Sequence, residues 1–274
     1  MPVIAITREM GSLGKDVARG VADALGIPVI YHEIIDQLAD RMRLRKSHVM
    51  RLLDGRAGFL ERMTADQTSL SIFASEEIVN AALQGNGAVI RGWGATQLLR
   101  DMPSVVCVRV CAPFEVRLQR MMARLGTNDA QSVAEEISDN DEAHGAIMRR
   151  HFSVNYTDPE LYDLVLNTQR ISVSECIDQV LRLVRSAQFA ETEAARERLK
   201  DLALHWQVRA ALRRSPRTRD MRVTVKVEQG RVSFDGAGYG ADERAALREV
   251  ATTVPGVRAT EDLMRTINLR ARFA

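Results

Sequence analysis

Five short apolar runs, with helical patterns between them, constrain this chain more than any other feature. Val3-Ile4-Ala5-Ile6-Thr7, Pro28-Val29-Ile30, Ala88-Val89-Ile90, Val105 to Val110 and the run that ends Leu164-Val165-Leu166-Asn167-Thr168 read as strands. Strands that alternate with helices build an open parallel sheet with right-handed crossovers. Ligands of such sheets sit at the carboxyl ends of the strands. Gly11 to Lys15, Gly92 to Gly94 and Asn167-Thr168 all fall at that edge.

The first run passes through Arg8-Glu9-Met10-Gly11-Ser12-Leu13-Gly14-Lys15-Asp16 into a helical pattern that reaches Leu25. A strand that enters a helix through a glycine-bearing turn leaves backbone N–H groups at the helix start, where they can hold phosphate. The match to the phosphate-loop pattern is partial. Gly14 and Lys15 stand where it wants them, but Glu9 replaces its first glycine and Asp16 its metal-binding hydroxyl. The chain has only 4 lysines against 34 arginines, and a compact ammonium between phosphates is one role in which Lys differs usefully from Arg. The plainer alternative is an ordinary strand-turn-helix with Lys15 solvated.

At 274 residues the chain is comfortable as two domains, and 46% hydrophobic with 27% charged residues suits a packed core. The net charge of +2 gives no global argument for nucleic acid or for a membrane surface. Three cysteines, an odd number, speak against a disulfide scaffold and for a reducing compartment. Cys107 and Cys111 share one strand and lie about 13 Å apart, too far for a bond. With no long apolar run, the expected location is cytoplasmic and no transmembrane segment is expected.

Glu33 to Met42, Lys46 to Leu53 and Thr64 to Leu83 carry helical spacing. An insertion of this length exceeds what a crossover needs and suggests a substrate-side cover. Arg109, inside an apolar strand, must be paired or reach the sheet edge. Either a buried carboxylate partner or a ligand phosphate would meet that need. Arg117, Arg120 and Arg124 follow on one helical face, and Arg149-Arg150 close the charged helical stretch Ser132 to His151. The five histidines are scattered without ligand spacing.

Residues Val3 to about Ala187 resemble the cytidylate kinase-like family, a branch of the P-loop nucleoside monophosphate kinases. The resemblance rests on Ile4 to Arg8 with Gly11 to Lys15, on Leu25 to Pro28 with Glu33-Ile34-Ile35, and on Gly87 to Gly94. Val108 to Pro113 with Glu115, Arg117 and Arg120, and Asp158 to Thr168, complete it. It implies a three-layer α/β P-loop kinase-like fold, ATP and Mg²⁺, and a closing lid around Ser132 to His151. Three positions depart from the family: Tyr31 stands for an Asp, Trp93 for an Arg between two glycines, and His144 for a lid arginine. The donor site is thus better kept than the acceptor site.

Gln188 to about Ala203 reads as a charged helical linker, and the pattern changes at Leu204. Leu204, Val208 and Leu212 share a helix face, Val223, Val225 and Val227 alternate with polar residues, and Gln229-Gly230 turns into Val232 and Phe234. A second helix over Asp242 to Thr253 and a last strand over Asp262 to Leu269 follow. This segment, 204–274, resembles a BON domain, a small α+β module that implies binding to a protein or lipid surface. The expected domains are therefore 1–187, a linker over 188–203, and 204–274.

These readings assign Gly11, Ser12, Leu13, Gly14, Lys15, Asp16, Asn167 and Thr168 to the nucleotide, with Asp16 at the metal. Lys15, Arg120, Arg149 and Arg150 would act on the transferring phosphoryl. Arg8, Tyr31, Glu33, Arg91, Gly92, Trp93 and Arg109 would hold a small-molecule acceptor. The expected function is an ATP-dependent phosphotransferase; the alternative is a nucleotide-binding regulator that signals through the C-terminal module.

Overall fold

The computed structural model describes residues 2–53, 57, 66–92 and 94–265. Its chain divides into two compact units, 1–195 and 196–274.

The first unit is built on a parallel sheet of order β2-β3-β1-β4-β5. Its strands are β1 (Val3–Arg8), β2 (Val29–Ile30), β3 (Ala88–Arg91), β4 (Val105–Cys111) and β5 (Leu164–Asn167). β1 lies central, with Ala5 opposite Ile90 on one side and Cys107 on the other. All four neighbouring pairs are parallel, so every connection must cross a face of the sheet and bring a helix with it. Helices α1 (Gly14–Leu25) and α8 (Val173–Val184) cover one face. There Ile4, Ile6, Val106, Val108 and Val110 pack against Val17, Val21, Cys176 and Val180. On the other face α4 (Gln67–Leu83) and α5 (Ala95–Leu99) lie against β3, β1 and β4. The result is the expected three-layer P-loop kinase-like α/β fold.

The insertion after β2 forms α2 (His32–Met42), α3 (Lys46–Leu53) and α4. The last of these starts three residues later than Thr64, where the Asp66 carboxylate caps the Ser69 N–H at 3.0 Å. Thr64 itself lies outside the described residues. After β4 come α6 (Phe114–Leu125) and the long α7 (Ala130–Phe152), the charged stretch that the sequence marks as helical. Cys107, Cys111 and Cys176 are free thiols.

A continuous helix, α9 (Glu193–Arg214), runs through the division between the units. Within the second unit its Leu204, Val208 and Leu212 pack against Val225, Val232 and Phe234 and against Leu247 of α10 (Ala241–Thr252). The sheet there is β6 (Thr224–Glu228), β7 (Arg231–Asp235) and β8 (Ala259–Asp262), the first pair antiparallel and the second parallel. Gln229 and Gly230 both take positive φ, 51° and 78°, as a two-residue hairpin turn demands. The last strand differs from the expectation of 262–269. It begins at Ala259 because the chain leaving the Pro255-Gly256 turn pairs at once with Arg231 to Phe234, and residues 266–274 lie outside the described part. No helix among the described residues is long and apolar enough to cross a membrane.

Candidate functional site

The β1–α1 turn is held by buried charge. Glu9, at the position of the pattern's first glycine, is 9% exposed, and its carboxylate accepts from Arg109 at 2.5 Å and from the Ala112 N–H at 3.2 Å. Arg117 stands 3.7 Å from the other carboxylate oxygen. It donates to the carbonyls of Ala112 (3.1 Å) and Met10 (3.3 Å) and grips Asp141 of α7 with both terminal nitrogens. The order Arg109–Glu9–Arg117–Asp141 alternates in sign, so each buried ion has an opposite neighbour. Of the two accounts open for Arg109, the structure gives it a buried carboxylate.

Within that brace the loop takes a phosphate-loop shape. The Ser12 N–H and hydroxyl both donate to the Glu9 carbonyl, at 3.2 and 2.8 Å. Gly11 has φ 80°, and a Cβ on it would stand 2.9 Å from the Arg117 carbonyl oxygen. Leu13 takes a left-handed φ of 61° and starts α1. The opening N–H groups of that helix, at Gly14 and Lys15, have no intrahelical acceptor. Lys15 and Asp16 are exposed in its first turn.

Thr168, just past β5, joins the loop from the other side. Its hydroxyl donates to the Ser12 carbonyl at 2.8 Å and accepts from Arg120 at 2.9 Å, and Arg120 also donates to the Thr168 carbonyl at 2.7 Å. Arg120 thus holds the end of β5 against the loop. Asn167 is exposed and accepts from the Gln169 N–H at 3.0 Å.

Of the residues expected to hold an acceptor, Tyr31, Glu33, Arg91 and Gly92 gather at the ends of β2 and β3. Arg91, 7% exposed, lies with its guanidinium 3.9 Å from the centroid of the Tyr31 ring. The Glu33 carboxylate accepts from the Tyr31 N–H at 3.0 Å and so caps α2. Gly92 has φ 82°, its N–H bonded to the Ile6 carbonyl at 3.0 Å. Arg8 is half-buried, with its Cβ 2.7 Å from the place a Cβ on Gly14 would take. Trp93 lies outside the described residues.

The helix α7 crosses this edge. The Thr7 hydroxyl meets His144 Nε2 at 3.3 Å, and the His144 ring meets Tyr156 edge-on at 4.5 Å. Burial, with the Arg8 guanidinium second, pushes the His144 pKa down to about 4, so this histidine is neutral. Phe152 packs on Gly94 so closely that its ring leaves no room for a Cβ there. The two basic residues at the end of α7 have other neighbours. Arg149 lies back along its own helix, 3.1 Å from the position of a Gly145 Cβ, and Arg150 hydrogen-bonds Gln67 of α4. Arg150 lines a groove of about 1070 Å³ between α3, α4 and α7. None of the described residues lining that groove belongs to the phosphate loop, so its size alone does not make it the reaction site.

Sequence reasoning missed Asp141 and Phe152, and it read Glu9 only as a departure from the glycine pattern. An arginine inside an apolar strand announced only that it must be paired or reach the sheet edge; nothing in the spacing chose between a carboxylate and a ligand phosphate, or said which carboxylate.

The site chemistry suits a nucleotide with its own metal. Helix N–H groups, an exposed lysine and one carboxylate in the first turn can receive a Mg²⁺ polyphosphate, since Mg²⁺ is held mostly by phosphates and water with one or two carboxylates. Among the described residues no cluster of three or more metal-ligating side chains exists.

Two curated relatives are cytidylate kinases from archaea. The one from Pyrobaculum aerophilum is 23% identical over 181 residues, covering 65% of this chain and 89% of that protein. The one from Methanothermobacter thermautotrophicus is 24% identical over 169 residues, covering 61% and 96%. Among solved structures, an uncharacterized protein from Eubacterium ventriosum superposes with a TM-score of 0.53 at 20% identity, covering 68% of this chain and 99% of that one, which speaks to the fold. The family model described as the cytidylate kinase-like family matches residues 3–170, more than half of the chain, and the chain belongs to that family of kinase-like phosphotransferases.

Proposed function

We propose that this chain transfers the terminal phosphoryl group of ATP, bound with Mg²⁺, to a nucleoside monophosphate or a similar small acceptor held under α2 to α4. The observation that carries the reading is the braced loop, in which a buried ion network fixes Gly11 to Gly14 so that the first N–H groups of α1 and Lys15 face one edge of the sheet. When bound, the nucleotide supplies the phosphoryl group and its metal. The chain's part would be positioning and charge: the N–H groups of Gly14 and Lys15 would hold phosphate oxygens, the Lys15 ammonium would neutralise charge, and Asp16 would be the carboxylate available to the metal. Arg149 and Arg150 would reach the phosphates only after α7 moves, which is the role of a lid.

The test is calorimetry with ATP-Mg²⁺ on wild type and Lys15→Ala, joined to a coupled ADP-release screen across nucleoside monophosphates. Affinity should fall at least tenfold in the variant, about 1.4 kcal/mol, and one monophosphate should give turnover. Equal affinities would overturn the assignment of the loop.

One observation favours a second reading. The Tyr31 ring covers a face of Arg91, so the acceptor side offers a stacked pair at the position where the family resemblance implies an acid. A chain that binds ATP and turns over no monophosphate would be a nucleotide-binding regulator, with residues 204–274 as a BON-like module that meets a protein or lipid surface. On either reading we take 1–187 as the kinase-like domain and 188–203 as the connecting segment. Limited proteolysis that spares 188–203 and cuts elsewhere first would count against that division.

A further inference from the structure

The two compact units carry opposite charge. Residues 196–274 hold 17 Lys and Arg against 10 Asp and Glu, a net +7, whereas residues 1–195 hold 21 against 26, a net −5. Such asymmetry between halves points to an interaction surface.

The negative charge is concentrated on α7. From Asp129 to Met148 there are six carboxylates and no Lys or Arg. Asp141 pairs with Arg117 and Glu135 accepts from the Gln131 amide at 2.6 Å; Glu135, Glu136, Asp139 and Glu142 line the groove of about 1070 Å³ together with Leu52 and Leu70. Arg150 and His151 stand at the end of the groove nearest the C-terminus of α7. Four carboxylates on one wall repel a polyphosphate. They suit an occupant that combines positive charge with aliphatic stems, which is what an arginine side chain is.

The positive charge is concentrated in a built turn after α9. Arg213, Arg214, Arg217, Arg219 and Arg222 fall within ten residues that hold one acid, Asp220. Thr218, 2% exposed, forms its centre and donates its hydroxyl to the Leu212 carbonyl at 2.7 Å. The Arg219 N–H bonds the Ser215 carbonyl at 2.9 Å, and the Arg222 N–H bonds the Tyr239 hydroxyl at 2.6 Å. The backbone is therefore fixed while Arg214, Arg217, Arg219 and Arg222 are exposed. Arg217 pairs with Glu249 at 2.6 Å, but Arg219 and Arg222 make no ion pair among the described residues. Met221 and Val223 pack into the core of the unit, which leaves no apolar anchor for a bilayer. The turn holds no aromatic ring on which a base could stack. A carboxylate-bearing protein surface complements such a turn, and this chain carries one.

We propose that two copies of this chain associate reciprocally, the arginine turn 213–222 of each seated in the acid-rimmed groove of α4 and α7 of the other. The reciprocal form closes with two equal contacts, whereas a single contact would leave one groove and one turn unfilled and extend into a chain of molecules.

Sedimentation equilibrium of the full chain at about 50 mM and about 500 mM salt tests this, because screening acts on exposed charge. The expected mass is twice 30.6 kDa at low salt and a single chain at high salt. Arg219→Glu/Arg222→Glu and Asp139→Lys/Glu142→Lys, all at exposed positions, should each be monomeric with circular dichroism and melting unchanged. Their equimolar mixture should dimerise again, since glutamates on one turn then meet lysines in the facing groove. A wild type that stays monomeric at low salt, a dimer that survives both double substitutions, or a mixture that stays monomeric would overturn the proposal. Capture of monomeric wild type on anionic vesicles would assign the turn to a membrane and overturn it as well.

Discussion

Arg117 holds Asp141 at 2.8 and 3.2 Å while the same guanidinium donates to the Met10 carbonyl at 3.3 Å. One side chain therefore ties the phosphate loop to the helix that crosses above it. Its side chain is 7% exposed and that of Asp141 26%, so the pair is little screened by water. Asp141→Ala leaves Arg117 with Glu9 and two carbonyls. We expect a loss of about 1.5–3 kcal/mol, the range for a hydrogen bond to a charged group, read by urea unfolding. Amide exchange over 130–152 should quicken with little change in the sheet. Unchanged exchange in α7 would show that Phe152 and Thr7 suffice to hold it.

Gly11 and Gly26 form a matched pair for testing the loop. Both have positive φ, 80° and 65°, but a Cβ on Gly11 meets the Arg117 backbone at 2.9 Å while one on Gly26 meets nothing within 4 Å. Gly26→Ala should cost only its backbone strain, about 1 kcal/mol. Gly11→Ala carries that strain and must also push the loop off α6, so its cost should reach about 3 kcal/mol and its affinity for ATP-Mg²⁺ should fall. Equal losses in the two variants would mean that the close approach does not shape the loop.

Much of the architecture was legible because it rests on local pattern. The Val and Ile runs of β1, β3 and β4, the Gly26 stop and the Gln229-Gly230 hairpin each follow from backbone preferences that a few residues settle. The brace of the loop was not legible, since Glu9, Arg117 and Asp141 meet only after β1, α6 and α7 have packed. Arg109 shows the boundary between the two: the need for a partner follows from an arginine in an apolar strand, but the choice of Glu9, 100 residues away, follows from the register of β1 on β4. The start of β8 was not legible for the same reason, while residues 266–269 of the expected last strand lie outside the described part. β8 takes its position from Arg231 to Phe234 and not from its own composition.

Thr168 and Arg120 should behave as one device. Thr168→Val removes the hydroxyl that joins Ser12 to Arg120 while keeping the shape, and Arg120→Ala removes the other half. Each single change should cost about 1–3 kcal/mol. In the double variant the losses should fall short of additive by about 0.5 kcal/mol or more, the signature of direct coupling. Additive losses would separate the two residues, and a fall in ATP affinity confined to Thr168→Val would point to a direct contact with nucleotide.

Stability should fall on mild acidification. Burial and neighbouring arginines, Arg8 at His144 and Arg209 at His205, push both pKa values down to about 4 from an ordinary 6.5. Between those values the unfolded chain binds protons that the folded chain does not, so stability rises with pH across this window. The contribution of each histidine is whole above about pH 6.5 and is lost as pH drops toward 4, at up to about 1.4 kcal/mol per unit. Because His144 belongs to the first unit and His205 to the second, two substitutions separate them. Urea unfolding at about pH 7 and about pH 5 should show a smaller loss in His144→Asn than in wild type, a smaller loss in His205→Asn, and the flattest response in the double variant. Between about pH 7 and about pH 5 most ordinary carboxylates stay ionised, so these histidines, with His151, whose pKa burial also lowers, should carry most of the change there. A pH dependence that both substitutions leave untouched would mean that neither ring is held neutral in the folded chain.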